Sequence, residues 1–339
     1  MVNNRKQVKL SLKKNTRKKK CIVFDLEWNQ GKGNANEEIP FEIIEIGAVK
    51  LDFDRKIYGE YSQIIKPQIY KQMGYAMQKI VPVEMEELRN GKLFVDTIKE
   101  YKKWCGKNYI FATWGPLDIT QLQVNMEYYK IPLFSKKPLP FLDVQKLFSI
   151  EYEDKKTRRT LEYAVDFLKI SKDIPFHRAF SDAYYTAKVL EQIKKRDTLE
   201  HISYDIFSPA KRKHDEIRIM FSDYYKYISK EFPSKQDALK QKEVKEMRCY
   251  QCGRKIKKEI NWFFPNMKHG YCVYKCEKHG YVKGKIRLKH SNNGNVYVVK
   301  TIRMITENEK DEILEKLKKF REQRRRKPDN NEYKNKNSD

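Results

Sequence analysis

Several features are scarce in this sequence of 339 residues, and each scarcity argues against a class of protein. No run of 18 or more apolar residues occurs, so no transmembrane helix is expected. The basic N-terminus lacks the apolar segment of a secretory signal. Only 6 cysteines are present, too few for a disulfide framework, and most of them fall within residues 249–276. This usage predicts a reduced, cytoplasmic protein with a metal site.

Acidic residues are absent from the first 20 positions, and charge is unevenly distributed along the whole chain. Residues 1–20 carry a net charge of +9, residues 21–200 carry +1 and residues 201–339 carry +16, for a total of +26. Two basic segments therefore flank a nearly neutral middle, and phosphate backbones are the expected partner of such segments. The alternative is that the lysines only keep the surface solvated.

Apolar periodicity predicts a mixed sheet in the near-neutral middle of the chain. The early strands follow one another closely, which favours an antiparallel meander. Later strands alternate with helical patterns, so the fold class is α/β, with a mixed β-sheet flanked by helices. The predicted strands are 21–28, 41–51, 57–65, 109–113 and 139–143. The predicted helices are a stretch that ends near Tyr129 and the segments 160–168 and 180–194.

Composition also predicts how the chain is organised outside that sheet. Cysteines, aromatic residues and β-formers concentrate in one segment, which we interpret as a small β-rich metal module with strands at 260–264, 270–275, 281–288 and 296–304. The predicted divisions are a disordered basic arm over 1–20, a catalytic domain over 21–200, a helical linker over 201–248, the metal module over 249–305, and a basic helix with a disordered tail over 306–339.

Two acidic residues share one side of the first predicted strand. Side chains alternate along a strand, so Asp25 and Glu27 face one way while Phe24 and Leu26 face the other. Adjacent carboxylates in an apolar segment repel each other and resist desolvation, and a divalent cation relieves both costs. The alternative is an edge strand with one solvated face.

Three further polar residues lie at predicted helices. Asp182 falls on the margin of an apolar helix face, where a carboxylate is either paired or bound to metal. His177 precedes it by five residues and, taken alone, is more often a capping or core histidine. Asp118 follows Trp114-Gly115-Pro116 at a helix start, where the helix dipole by itself favours an acid.

Taken together and in chain order, these residues form a pattern with a known counterpart. The resemblance covers about residues 21–195, and it implies a ribonuclease H-like fold. Histidine five positions before the last acid is similar to the histidine branch of the family rather than its tyrosine branch. The set Asp25-x-Glu27, Trp114-Gly115-x-x-Asp118 and His177-x4-Asp182 resembles the DEDDh branch of the DnaQ-like 3′→5′ exonucleases.

The resemblance also implies how the residues act. Two Mg²⁺ or Mn²⁺ ions, about 3.5–4 Å apart, would clamp the attacking and leaving oxygens of a phosphodiester. Hard cations prefer oxygen ligands, and His177 would accept the proton of the attacking water because an imidazole titrates near neutral pH. The implied metal ligands are Asp25, Glu27, Asp118 and Asp182.

The cysteine segment contains two turns of the same form, each with a ligand, two residues, a ligand and a glycine. Cys249-Tyr250-Gln251-Cys252-Gly253 and Cys276-Glu277-Lys278-His279-Gly280 resemble the paired knuckles of a zinc ribbon. The glycine lets backbone N–H groups approach the ligand sulfurs. The predicted zinc ligands are Cys249, Cys252, Cys276 and His279, with Cys272 as an alternative fourth ligand and buried free cysteines as the alternative to any metal.

Basic residues surround the cysteine segment and alternate with aromatic ones, a composition that suits single-stranded nucleic acid. Trp262 and Phe264 are better explained as the core of the small module. The basic residues are Arg254, Lys255, Lys257, Lys258, Lys283, Lys285, Arg287 and Lys289, and the remaining aromatic ones are Phe263 and Tyr281.

The function predicted from these observations is a metal-dependent 3′→5′ exonuclease that hydrolyses single-stranded RNA or DNA to nucleoside 5′-monophosphates. Its expected cofactors are two Mg²⁺ or Mn²⁺ ions and a structural Zn²⁺. The alternative is a nucleic-acid-binding regulatory protein that keeps the fold with little turnover, and another use of the domain is protein contact through residues 201–248. The choice between RNA and DNA stays open, because no reader of the 2′-hydroxyl is recognisable.

Overall fold

The computed structural model describes residues 20–30, 38–75 and 83–326. The chain divides into two units, with the boundary between Ser208 and Pro209. The predicted disordered arm, apart from Lys20, and the predicted tail after residue 327 fall outside the described residues. Within the described ranges, no helix combines the length and apolar character needed to cross a membrane.

The first unit is built on a six-stranded sheet with the order β3-β2-β1-β4-β5-β6. β1 pairs antiparallel with β2 and parallel with β4, so the sheet is mixed and its first three strands form the predicted meander. β1 therefore lies in the middle of the sheet. The strands are β1 Lys20–Asn29, β2 Glu42–Leu51, β3 Ile57–Ile64, β4 Tyr109–Thr113, β5 Leu139–Asp143 and β6 Ser203–Asp205.

Helices cover both faces of this sheet, because alternate residues of β1 enter two different cores. Phe24 packs in one core with Phe94 and Ile119, whereas Val23 packs in the other with Leu147 and Tyr185. The helices are α1 Met85–Arg89, α2 Phe94–Cys105, α3 Leu117–Tyr128, α4 Val144–Tyr152, α5 Leu161–Phe167, α6 Ala179–Gln192 and α7 Arg196–Leu199. The predicted α/β fold with a mixed sheet between helices is confirmed.

The helical linker predicted over 201–248 is wrong. This segment supplies β6 to the first sheet and β7 Ile217–Met220 and β8 Tyr224–Ile228 to a second sheet, and its helical elements are only α8 Lys235–Lys240, α9 Lys242–Lys245 and one 3-10 turn at Lys213–Asp215. Ile217 and Ile219 are buried on one side of β7, while Arg218 and Met220 on the other side are half-buried. Charged residues hide this alternation in the sequence, and pairing with distant strands decides the structure.

The second unit contains a six-stranded antiparallel sheet with the order β7-β8-β12-β11-β10-β9. The four strands predicted for the metal module are all present, but they continue through β12 into β8 and β7 instead of forming a separate ribbon. α10 packs on one face through Ile313, and Ala238 and Val244 of α8 and α9 pack on the other. The elements are β9 Lys257–Phe263, β10 His269–Cys276, β11 Gly280–His290, β12 Val296–Met304 and α10 Glu307–Arg326.

Candidate active site and metal centres

Asp25 and Glu27 lie on the face of β1 that also carries Val23, which packs against α6. Leu26 enters the opposite core, so the alternation predicted from the sequence is confirmed. The alternative of an edge strand is wrong, because β1 has β2 on one side and β4 on the other. Both carboxylates therefore project from the middle of the sheet toward the start of α6.

Asp182 brings a third carboxylate to the same place from the first turn of α6. Its ligand oxygen and those of Asp25 and Glu27 all lie within 4.8 Å of one another. The backbone N–H of His177 donates a hydrogen bond to the Asp182 carboxylate. The buried Oδ1 of Asp182 has no hydrogen-bond partner among the described residues, which leaves one oxygen ready for a cation.

Asp118 lies beside these three carboxylates without joining their close group. It occupies the first turn of α3, is buried, and accepts a hydrogen bond from the backbone N–H of Leu26. β4 pairs with β1 only as far as Val23, so the N–H of Leu26 lies beyond the parallel ladder and is available to the carboxylate. The charge of Asp118 still acts on Asp25, whose pKa it raises.

All four carboxyl groups have raised pKa values, and burial is the largest cause in each case. The pKa of Asp25 lies well above its usual value, and those of Glu27, Asp118 and Asp182 rise to about 8, about 7 and about 6. Repulsion within the group adds to burial, because Asp182 raises the pKa of each of the other three. Buried acids that repel each other are stabilised as anions by a bound divalent cation, so the site fits such an ion.

His177 is exposed and immediately precedes Arg178, the N-cap residue of α6. Its φ of 65° places the backbone in the left-handed region, where histidine is more common than most side chains. The turn at His177 directs its own N–H to Asp182 and leaves the imidazole on the surface. The structure therefore places the predicted base at the rim of the cluster formed by Asp25, Glu27 and Asp182.

Arg178 and Glu45 form a pair that sequence reasoning missed as part of the site. Glu45 is buried opposite Glu27 in the β1–β2 register, and the Arg178 Nε lies 3.0 Å from its Oε2. Arg178 also reaches Glu87 of α1, with Nη2 and Oε1 3.3 Å apart. The pair ties the residue after His177 to the sheet. The presence of Glu45 in an apolar strand was the only signal in the sequence.

Gly47 is a second residue whose role sequence reasoning missed. It lies opposite Asp25 in β2, and a Cβ placed there would come within 2.0 Å of the Phe180 nitrogen. Only glycine therefore allows the first turn of α6 to approach the sheet closely enough to bring Asp182 to Asp25. A glycine inside an otherwise apolar strand was the available signal.

Two buried side chains fasten the segment around Gln68–Gly74 to the ends of β1 and β2. Asn29 accepts a hydrogen bond from the Gly74 N–H at 2.9 Å and donates to the Gln72 carbonyl at 2.9 Å. Glu42 accepts from the N–H groups of Gln68 and Ile69, at 2.5 and 2.9 Å. Asn29 follows Glu27 by two positions, so this fastened segment borders the strand that carries the acids.

The predicted Cys/His group is assembled in the second unit. The sulfurs of Cys249, Cys252 and Cys276 and a ring nitrogen of His279 all lie within 4.8 Å of one another. His279 Nδ1 is 3.4 Å from the Cys249 sulfur, and the Cys252 and Cys276 sulfurs are 3.8 Å apart. Three sulfurs and one imidazole at such separations match the donor set of a tetrahedral zinc site.

Backbone groups of the two turns favour thiolates at this site. The N–H groups of Gln251 and Cys252 donate to the Cys249 sulfur, and those of Lys278 and His279 donate to Cys276. Gly253 and Gly280 have φ values of 73° and 81°, so each turn needs its glycine. Hydrogen bonds from backbone and neighbouring groups outweigh burial and lower the pKa values of Cys252 and Cys276, whereas burial raises the pKa of Cys249 to about 11.

Cys272, the alternative fourth ligand, lies outside this group. It is buried on β10 opposite Gly284, where a Cβ would come within 2.6 Å of its sulfur. Burial raises the pKa of its thiol well above the usual value. Cys272 therefore packs as an apolar core residue, and His279 is the residue that completes the group.

The aromatic residues of this unit are used in packing. Trp262 and Phe264 pack against the core on the α8 and α9 side, as expected, while Phe263 is buried and Tyr281 packs against the core under α10. The suggestion that Phe263 stacks on nucleic acid is therefore corrected, because this residue is buried, whereas Tyr281 is half-buried and its part in nucleic-acid binding stays a prediction. The basic residues around them are not subject to this correction.

Comparison with known proteins gives one family match. Residues 22–190, about half of the chain, match the model of the RNase_T family, described as exonuclease. The match contains Asp25, Glu27, Asp118, His177 and Asp182. No curated protein matches the chain significantly.

Several solved structures are similar to this chain at low identity. The nuclease domain of 3′hExo, a DEDDh family member bound to rAMP, is 19% identical over 52% of this chain and 91% of that one, with a TM-score of 0.45. E. coli exonuclease I in complex with a dA16 oligonucleotide is 11% identical over 68% and 59%, with a TM-score of 0.43. S. pombe Pop2p with Mg²⁺ and Mn²⁺ is 15% identical over 57% and 90%, with a TM-score of 0.39. The family match and the mixed sheet identify the first unit as ribonuclease H-like, and these weak likenesses add no detail of the site.

Proposed function

Residues 22–190 belong to the RNase_T exonuclease family, and we propose that the protein removes nucleoside 5′-monophosphates from the 3′ ends of single-stranded nucleic acid in a metal-dependent reaction. The observation that carries this proposal is the convergence of Asp25, Glu27 and Asp182, with a buried Asp182 oxygen that lacks a partner. Such an arrangement suits a hard divalent cation.

Asp25, Glu27, Asp182 and the neighbouring Asp118 would hold Mg²⁺ or Mn²⁺. A pair of such ions, when bound, supplies Lewis-acid stabilisation of the attacking and leaving oxygens of a phosphodiester. The chain contributes carboxylates whose positions are fixed before the substrate arrives, on β1, on α3 and on α6. Because the strand and helices hold them, little reorganisation is needed during the reaction.

His177 is the proposed general base, which accepts the proton of the attacking water. Its exposure at the rim of the carboxylate group suits a side chain that must meet both water and substrate. Arg178 directly follows His177 and is bound to the buried Glu45, so this ion pair limits where His177 can lie. Arg178 is thus a positioning residue and not a proton carrier.

The second unit is proposed to hold one structural Zn²⁺ through Cys249, Cys252, Cys276 and His279. The donor set, the two glycine turns and the N–H groups directed at the sulfurs support this assignment. All four positions of a tetrahedral site are supplied by protein, which is typical of a structural site rather than a catalytic one.

The proposed function is tested with oligonucleotides labelled at the 3′ or the 5′ end. With Mn²⁺, the 3′ label should be released at once as a mononucleotide, while the 5′ label should pass through a ladder of shortening products. Asp25→Asn should abolish both signals without lowering the melting temperature by more than a few degrees. Internal cleavage products, or release of the 5′ label first, would contradict the proposed direction. No turnover with either metal would support the regulatory alternative instead.

A further inference from the structure

One side of β11 carries a row of cations in the second unit. Lys283, Lys285 and Arg287 alternate along the strand, and Lys285 lies opposite Tyr271 of β10 in the sheet register. Lys283 lies opposite Val273, which packs in the core under α10, so the row lies on the α10 side of the sheet. Alternate residues of a strand have Cα atoms about 6.8 Å apart, so three basic side chains leave the same side of β11 one after another.

The Tyr271 ring gathers three of the cations. The ammonium groups of Lys283 and Lys285 lie 5.6 and 5.8 Å from its centroid, and that of Lys316, from α10, lies 4.9 Å away. The ring itself packs on Phe263, with centroids 6.0 Å apart. Because a lysine near an aromatic face loses less freedom on binding a ligand than a solvated one, the arrangement preorders the charges.

Few nearby carboxylates neutralise the charge of these cations. Within the part of the chain that the structure describes, no carboxylate forms an ion pair with Lys285, Arg287 or Lys316. The neighbouring acid, Glu309, is already paired with Arg303. Burial and the nearby positive charges lower the pKa values of Lys283 and Lys285. They also lower the pKa of His269, which lies opposite Arg287 on β10. The folded chain thus holds positive charges close together at an electrostatic cost, which an anionic partner would relieve.

We propose that Lys283, Lys285, Arg287 and Lys316 form a binding surface for consecutive phosphates of a single nucleic-acid strand. The roughly 6.8 Å spacing along β11 is similar to that of successive phosphates in an extended strand, so one row can contact several of them. The aromatic residues beneath are engaged in packing, so the contacts read charge and not bases. The inference rests on the proposed function for the nature of the strand, and it adds a second binding site for the substrate.

The test compares two triple variants of the full-length chain that remove equal charge from opposite faces of one sheet. Lys285→Gln, Arg287→Gln and Lys316→Gln remove the proposed contacts. Lys240→Gln, Lys242→Gln and Lys245→Gln remove exposed charges from α8 and α9, which cover the other face of the sheet. Binding of a fluorescein-labelled oligothymidylate of about 20 nucleotides is followed by anisotropy between about 50 and 200 mM salt, without Mg²⁺ or Mn²⁺.

The first variant should bind at least about tenfold more weakly at low salt, and its slope of log K against log salt should be shallower by about 2, since each single-strand phosphate contact contributes about 0.7. The second variant should retain the slope within about 0.7 of the parent. Equal losses in both variants, or no loss in the first, would overturn the inference. Lys316→Gln alone, at an exposed position, should reduce the slope by about 0.7 and covers the case in which the triple variant does not fold.

Catalysis is measured separately on a chromogenic nucleoside 5′-phosphodiester, which has a single phosphodiester group and so cannot place consecutive phosphates along the row. Unchanged turnover of this compound by the first triple variant, combined with weaker binding of the oligonucleotide, supports the surface. A parent chain that binds the oligonucleotide through this surface but hydrolyses neither substrate would overturn the proposed function and leave the surface standing. An acidic protein is also tested as a competitor of the oligonucleotide. If it displaced the oligonucleotide equally well from the parent and from the first variant, the row of cations would not be the site that binds both anions.

Discussion

The first unit brings three carboxylates together with Asp118 beside them, and the second unit brings together three sulfurs and one imidazole, yet the pKa values of the two groups shift differently. Burial and mutual repulsion raise the pKa values of the carboxyl groups, and one buried oxygen of Asp182 has no partner. Around Cys252 and Cys276, hydrogen bonds from backbone and neighbouring groups lower the pKa values. Repulsion therefore strains the first group without an ion, whereas hydrogen bonds prepare two of the three sulfurs of the second group, and burial still raises the pKa of the third, Cys249, to about 11.

This difference follows from what each site has to do. Stabilisation of a changing charge during a reaction requires ions that keep positions for substrate oxygens, so the protein does not satisfy every ligand itself. A structural ion needs a complete set of protein ligands, with backbone groups that hold the sulfurs in place. Removal of one acid from the carboxylate cluster should therefore reduce the activity of the protein and raise its stability. Removal of one ligand from the Cys/His group should instead lower the stability.

Asp182→Asn provides the largest expected effect. Loss of a metal ligand should reduce turnover by a factor of about 1,000 or more, which corresponds to about 4 kcal/mol of transition-state stabilisation. The same change removes a charge that raises the pKa values of three neighbours, so the metal-free protein should melt at a higher temperature at pH 8. Turnover is measured with Mn²⁺, and melting is followed without added divalent ions.

Cys276→Ser is the matched change in the other group. It should lower the melting temperature of the second unit and leave turnover of a short phosphodiester nearly unchanged. If Asp182→Asn lowered the stability of the metal-free chain as Cys276→Ser does, the contrast between a strained and a prepared site would not hold.

His177→Asn tests the proposed base with little disturbance of the backbone. Asparagine tolerates the left-handed φ of 65° at this position, so the turn into α6 should survive. General-base catalysis contributes about 10²- to 10⁴-fold, and turnover should fall within that range while KM changes little. Rate measurements from pH 7 to 9.5 should show partial recovery at high pH, because hydroxide then competes as the nucleophile. A loss that is equal at every pH would make His177 a structural residue.

Much of the carboxylate site could be predicted because it depends on residue patterns within single strands and helices. Alternation along β1 places Asp25 and Glu27 together, and helical periodicity places Asp182 toward the core. The contributions of Gly47 and Glu45 could not be predicted in this way. They depend on the closeness of α6 to β2 and on a contact across 133 positions of sequence, neither of which periodicity encodes.

The second unit was predicted less completely, for a related reason. The spacing of the two glycine turns correctly indicated which cysteines and which histidine come together. The membership of β7 and β8 in the same sheet was missed, because Tyr224–Ile228 lies in a polar stretch that was predicted to be helical, although its tyrosines and isoleucine favour a strand. Pairing with β12, some 70 residues away, decides between the two.

The pH dependence of stability sharpens the contrast further and is expected to be smaller than the catalytic effects. The folded-state pKa values of Glu27, Asp118 and Asp182 lie above those of unfolded acids, so their protonated forms favour folding. This contribution is present below about pH 4 and is lost as the pH rises through about 6, 7 and 8. For Asp182, a shift of about two pKa units corresponds to on the order of 3 kcal/mol.

Melting curves at pH 5.5 and 8.5 without added Mg²⁺ or Mn²⁺ should therefore show lower stability at the higher pH. Asp182→Asn should reduce that difference, and saturating Mg²⁺ should reverse part of it, because the ion binds only the ionised acids. A pH dependence that is the same in the parent and in Asp182→Asn would mean that this carboxylate does not titrate as its burial implies.

The smallest expected effect distinguishes the four ligands of the Cys/His group from the cysteine beside them. Cys272 is buried opposite Gly284 and away from the other sulfurs, so Cys272→Ala should leave one zinc ion per chain after dialysis. It should cost about 1 kcal/mol, as expected for removal of one buried side-chain atom from a packed core. His279→Ala should instead lose tight zinc, because it removes a donor that lies 3.4 Å from the Cys249 sulfur. Zinc retained by His279→Ala but lost from Cys272→Ala would reverse the ligand assignment.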